Sequence, residues 1–401
     1  MKSPFILATF VLMATTSITL PAYAEGVPPV VSALFKNWEA IKVTPTYDKL
    51  TTDSSGNVTI SKLSAIVPGK DAGPEVKFTV GEIVLDGVGA EQNGVIEVGS
   101  IKATNSRVEM DSGDGKDFIV EMPSASAEGV HLRLAVDNPT PQQAFLSTYS
   151  MANKVSSGSI KITAMGQTIT SDGYDMTWDG DATTGDGKFD FKLKNIAVPA
   201  TVIASMDPTG QMKQLGYGDI SFDVTGGADI KVNGDKFGFS SNISYAGKDI
   251  GAFKIALDAN EVPMAAVAEL QKSQKEQRPP DMTALMPQLM NVSFGSFQLR
   301  FEDASITRKV LPVIAKMQGM DEATMVANAG AIVQVGLMQL KSQAFTDQVV
   351  GAVNAFLKDP KSFTVSMKPA QPVAVQNVMT LNPADPAAAI TMLGVSVSAN
   401  D

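Results

Sequence analysis

The chain has 401 residues, no Cys, a single His, 44% hydrophobic and 18% charged residues, and a formal net charge of −10. This composition excludes a disordered chain, and its acidity disfavours nucleic acid and anionic headgroups as partners, since both need a basic footprint. The missing thiols exclude disulfides, Cys nucleophiles and the usual His/Cys zinc centre, so stability must come from a hydrophobic core.

The first residues read as a secretory presequence. Lys2 precedes an apolar run from Phe5 to Met13, and Ala22-Tyr23-Ala24 gives the small-residue pattern of cleavage after Ala24. The run is shorter than the roughly 20 residues that span a bilayer, so no integral span is expected in the mature chain. Export of a Cys-free protein points to a bacterial periplasm.

Three segments are expected after the presequence: 25–156, an N-terminal helix and β-meander; 157–275, a second antiparallel stretch; and 276–401, richer in helix. Val30, Val31, Leu34, Phe35 and Trp38 sit at helical spacing in 28–42. Val- and Ile-rich strands punctuated by Gly, Asp and Asn follow, the pattern of an antiparallel meander. Three of them share "VTISKL", "FTVGEI" and "IEVGSI", with apolar residues at the first, third and sixth positions. A helix over 140–155 interrupts the strands, and Asn233-Gly234 marks a tight hairpin.

From Pro263 the texture turns helical. "RPP" at 278–280 is a candidate hinge, Asp321 and Thr346 stand where N-caps are expected, and Pro360 marks a stop. The run 329–338 is apolar on most sides, but Gln334, Gln339 and Lys341 interrupt it too soon for a membrane span, and it reads as a buried helix.

A second pattern recurs at Phe189/Phe191/Leu193, Phe253/Ile255/Leu257, Phe297/Leu299/Phe301 and Phe363/Val365/Met367. Nine to ten residues beyond the leading Phe come Val198-Pro199, Val262-Pro263, Ile306-Thr307 and Pro372-Val373. Each unit reads as a strand with one buried face, a short crossing, and a helix laid over that strand. The fold class expected is therefore α+β, β-dominated, with a long antiparallel meander, helices on one face and internal strand-Pro-helix repeats.

Chemistry is sparse. His131 lies on a strand whose Val130 and Leu132 share one face, with His131 and Arg133 on the other, and it reads as solvated. No Gly-x-Ser-x-Gly elbow or phosphate loop is present. "DGDATTGDGKFD" (179–190) imitates a calcium loop at its ends but has Thr184 where the central Gly belongs, so it reads as a hairpin turn, as does "DSGDGKD" (111–117). Met282, Met286 and Met290 form a flexible apolar stripe with Leu285 and Leu289, suited to ligands of variable shape.

The strands carrying "VTISKL", "FTVGEI" and "IEVGSI", over residues 57–135, resemble the AsmA-like group of β-rich bacterial envelope proteins. That resemblance implies a long meandering sheet and a part in lipid movement or outer-membrane homeostasis, without carrying over any functional residue. The expectation is a soluble periplasmic binding or scaffolding protein without a cofactor, whose partner is a lipid or an envelope protein. Its candidate apolar site is Phe253, Ile255, Leu257, Met282, Met286 and Met290. The alternatives are a carboxylate-dependent hydrolase and an interaction protein without ligand. An outer-membrane barrel is disfavoured by the 6% aromatic content and by "SVSAND" at 396–401.

Overall fold

The computed structural model describes residues 27–39, 45–67, 75–110, 118–134, 136, 138–149, 152–207, 209–276, 278–382 and 384–401. The presequence and the expected turn at 111–117 lie outside the described residues. The chain is α+β and β-dominated, with 48% strand and 30% helix. It divides into two compact units, one running to Val202 and including Met264–Asp281, the other comprising Ile203–Pro263 and Met282–Asp401. The units thus interleave along the chain rather than following the three expected segments. The expected boundary at 156/157 falls inside a strand that is hydrogen-bonded on both sides, and "RPP" lies just before the return to the second unit.

The first unit is a meander of β1 (Lys49–Thr52), β2 (Val58–Val67), β3 (Val76–Gln92), β4 (Val95–Met110) and β5 (Phe118–Arg133), paired in that order. Beyond β5 the next two positions are each divided. β6 (Ala152–Ser157) and β7 (Ile160–Ala164) pair with the two halves of β5. β8 (Gln167–Ser171) pairs with β7, β9 (Gly173–Gly180) with β6, and both meet β10 (Gly187–Val198). Gly173, at φ +123°, permits the break between β8 and β9, where a Cβ would collide with the Ser157 carbonyl.

The 1-3-6 spacing has a structural cause. Strict alternation cannot place residues three apart on one face, yet Ile60 and Leu63 are both buried, as are Val80 and Ile83, and Val98 and Ile101. The pleat reverses along two creases that cross the sheet in register. One passes through Lys62, Gly81, Asn105 and Pro123, and the other through Gly87, Gly99, Gly129 and Asn153; at each the ladder skips one or two facing pairs and resumes unshifted. Alternate members, Lys62, Asn105, Gly87 and Gly129, adopt positive φ. Gly and Asn tolerate that geometry, and Pro has no N–H to lose from the ladder.

Helix α1 (Pro29–Glu39) buries Val30, Val31, Leu34 and Phe35 against this creased face, together with Val58, Ile60, Leu63, Leu85, Ile96, Val98 and Leu132. Helix α2 (Pro141–Tyr149) is capped reciprocally by Thr140 and Gln143. It ends well before Val155, because 152–157 is β6, ordered by pairing to β5 and β9 instead of by helical propensity. Within α3 (Ala200–Met206), after Val202, the chain leaves this unit, and it returns as α4 (Met264–Lys275).

The position of α4 corrects one expectation. The helix that follows the Phe253 strand belongs to the first unit and packs on α2, where Gln271 donates to Ala144 O and bonds Thr148 Oγ1.

The second unit pairs β11 (Ile220–Asn233), β12 (Lys236–Gly247), β13 (Gly251–Pro263), β14 (Ser293–Asp303), β15 (Ser362–Met367) and β17 (Val395–Ala399) antiparallel in that order. The two-residue β16 (Val373–Ala374) continues the line of β15 along β14. The β11–β12 turn is one residue later than expected, with Asn233 paired to Lys236 and Gly234 carrying the positive φ. Asn93-Gly94, between β3 and β4, and Met165-Gly166, between β7 and β8, are pairs in which both residues are left-handed.

Besides the single turn Gln211–Gln214, the helices of this unit, from Met282 onward, are α5 (Met282–Leu289), α6 (Ile306–Met317), α7 (Glu322–Leu337), α8 (Gln343–Lys358), α9 (Val375–Met379) and α10 (Pro386–Leu393). Asp321 caps α7 by accepting from Thr324 N at 2.8 Å. Thr346 is not a cap: α8 starts at Gln343, and the buried Thr346 hydroxyl donates back to Ser342 O.

Candidate functional site

Directly opposed residues of an antiparallel pair share a face, so the registers of the second sheet define its two surfaces. Phe253 faces Tyr245 on β12 and Phe301 on β14, and Phe301 faces Phe363. The next row is Ile243, Ile255, Leu299, Val365 and Val397. The row after that holds Leu257, Phe297, Met367 and Val395. The Phe patterns starting at 253, 297 and 363 are thus three strands in register, the first residue of one opposite the last of the next. The Phe189 pattern lies apart on β10 of the first unit, where Phe189 faces Trp178, Phe191 faces Met176 and Leu193 faces Tyr174. Burial there pushes the Tyr174 phenol up to about 12.

The reverse surface is polar. Its rows include Ser244, Lys254, Arg300, Thr364 and Ser398, and Asn242, Ala256, Gln298, Ser366 and Ser396. Arg300 bonds Glu302, Thr364 and Asp401. Hydrogen bonds from Ser398 and Arg300 hold the Asp401 carboxyl down at about 2. The sheet is therefore strongly two-sided, with a continuous apolar surface spanning β12 to β17.

Cover on the apolar surface is uneven. Phe356 of α8 sets its ring edge-on to both Phe301 (6.2 Å between centroids) and Phe363 (5.7 Å), closing the β14–β15 end of the aromatic row. At the other end Phe253 remains 40% exposed and its cross-strand partner Tyr245 39% exposed. Ile255 and Leu257 are half-buried. Phe356 and Tyr245 complete this site although neither was among the expected residues. The helical spacing of Val349, Val353 and Phe356, and the alternation of Ile243 and Tyr245, are the signals that point to them.

The Met stripe stands elsewhere. Met290 precedes Ser293, which pairs with Asn260, so α5 meets β13 from the Asn260 end, about 23 Å of strand from Phe253. Met282 is 50% exposed, and Met286 and Met290 are half-buried. The structure groups Phe253, Ile255 and Leu257 with the β12 and β14 side chains and brings Met290 to the far end of the strand.

Two polar expectations also meet the structure. His131 does occupy the face opposite Val130 and Leu132, but it is not solvated: its side chain is only 16% exposed. Glu97 Oε2 lies 2.6 Å from its Nδ1, an ion-pair distance without hydrogen-bond alignment, and the buried Trp178 indole stands edge-on at 6.4 Å. The neighbouring Arg133 reaches the β9–β10 loop, donating to Ala182 O, and burial lowers its pKa from the ordinary value while the Glu97 charge opposes that shift. The expected turn within 179–190 is held by Asp181, which accepts from the Thr183 amide and hydroxyl. Those bonds occupy the third-position carboxylate that a calcium loop would need.

These features define a β-dominated α+β protein that carries a partly covered apolar sheet surface. A family model described only as "Uncharacterized protein" matches residues 244–400, which take in most of that surface from Ile243's neighbour Ser244 onward. No curated protein matches the chain. The family match does not reach 57–135, the strands on which the AsmA-like resemblance rests.

Proposed function

We propose that this protein works in the cell envelope, exported by its N-terminal presequence, and holds a lipid acyl chain against the apolar face of the second sheet. The observation that carries this reading is the Tyr245–Phe253 pair, each about two-fifths exposed beside the stretch that Phe356 covers. Large apolar side chains in the middle of a sheet face are ordinarily buried, and each buried one stabilises by about 1.5–3 kcal/mol, so an uncovered pair favours an apolar occupant. The polar reverse surface supplies no comparable site.

Displacement of a fluorescent fatty acid tests this reading. Phe253→Asp weakens binding at least about tenfold, because a carboxylate cannot be buried against an acyl chain without a partner. Lys254→Ala, on the reverse surface, leaves binding unchanged. Absence of saturable binding, together with native mass spectra of protein from its own envelope showing no bound lipid, refutes the proposal.

A further inference from the structure

The apolar run expected to be buried lies instead on a largely exposed helix of the second unit. α7 and the 3-10 turn after it, Glu322–Leu340, form a 19-residue apolar segment in which an 18-residue stretch has a mean hydropathy of 1.3 and only 6% of its residues buried. α8 covers one side of it, where Gly330 is buried and a Cβ would meet the Asn354 amide at 2.8 Å. On the exposed side Ile332, Val335 and Met338 are 61, 68 and 70% exposed, at the three-residue spacing of one helical face.

A helix surface that faces water ordinarily carries charges. Here no charged residue occurs between Glu322 and Lys341. The segment is about 28 Å long at 1.5 Å per residue, close to the thickness of a bilayer's hydrocarbon layer, with Asp321 and Glu322 at one end and Lys341 at the other. It also contains no aromatic residue and no Arg, the side chains that anchor protein interfaces.

We infer that α7 is a membrane-docking helix, lying in the plane of a lipid surface with Ile332, Val335 and Met338 among the acyl chains. It lies on the membrane and does not cross it, because its other side is held by α8, whose Asp347, Gln348 and Lys358 are exposed. With no basic residue in the segment and a net charge of −10, the attraction is apolar and not electrostatic. The inference does not depend on a ligand at the sheet face.

The Cys-free chain accepts a single label cleanly. In the purified exported protein, an environment-sensitive dye on Val335→Cys brightens and shifts to the blue with phosphatidylcholine vesicles, equally in low and high salt. The same dye on Gln348→Cys does not respond. Replacing Ile332, Val335 and Met338 together by Ser lowers co-sedimentation with these vesicles at least about a hundredfold, with an unchanged circular dichroism spectrum. The Ser triple variant still binds fatty acid and Phe253→Asp still binds vesicles, so the two proposals fail separately. A silent Val335→Cys dye overturns the inference. So does a dye response to protein concentration without lipid, which would show a second copy covering α7, or binding confined to anionic vesicles and lost in salt.

Discussion

Truncating Phe356 to Ala tests whether α8 is held to the sheet by one ring. Full truncation of a core Phe costs about 3–5 kcal/mol, and Phe356 is half-buried, so about 2 kcal/mol applies to its area. Its two edge-on contacts, at 6.2 and 5.7 Å, add about 0.5–1.5 kcal/mol each. The total is about 3–5 kcal/mol, or a fall in midpoint of roughly 6–20 °C for a unit of this size. Phe253→Ala removes a ring already 40% exposed and without cover from α8, and should cost about 1–2 kcal/mol. Differential scanning calorimetry measures both. Trp178 fluorescence reports the first unit independently, because the second contains no Trp. A loss below about 1 kcal/mol for Phe356→Ala, or equal losses for the two variants, would refute the assignment of Phe356 as the anchor.

Two further outcomes follow from local geometry. The Asp401 carboxyl, held at about 2 against an ordinary 3.8, stabilises the fold fully above pH 3.8 and loses that contribution as the pH falls toward 2. Half exposure of its side chain keeps the effect small. Asp401→Asn should flatten the acid limb of the denaturation midpoint, and an unchanged limb counts against the Ser398–Arg300 network. Gly185, at φ +84°, would place a Cβ 2.5 Å from Phe145 Cε1, whereas Gly94, at φ +77°, has open space around it. Gly94→Ala should therefore cost about 1–2 kcal/mol, from backbone strain alone. Gly185→Ala adds over-packing, for about 2–5 kcal/mol in all. Equal losses, measured by denaturant titration of Trp178 emission, would show that the β9–β10 loop does not rest on α2.

Much of the fold was legible in the residue pattern. Period-two alternation marked β2 to β5 and the Phe strands, helical spacing marked α1, and Asp321 marked the start of α7, because these signals follow from side-chain direction and terminal hydrogen bonds within a few residues. The 1-3-6 spacing was visible too, but its meaning was not. A skipped step in one strand is uninformative until Lys62, Gly81, Asn105 and Pro123 are seen to align across four strands. The helical reading of 140–155 failed at β6 because pairing with β5 and β9 outweighs weak local propensity.

By itself the sequence determined which residues of each strand share a face, since the pleat alternates whatever the strand's neighbours are. It thereby placed Phe253, Ile255 and Leu257 together and Lys254 on the reverse side. Only the tertiary structure decided what covers that face. The helix next in the chain, α4, packs on α2, while Phe356, about a hundred residues from Phe253, closes part of the surface and leaves Phe253 and Tyr245 open. It likewise decided that α7 is an outer helix. Apolar composition is the same for a core helix and a lipid-facing one, and the difference lies in which neighbours pack against it.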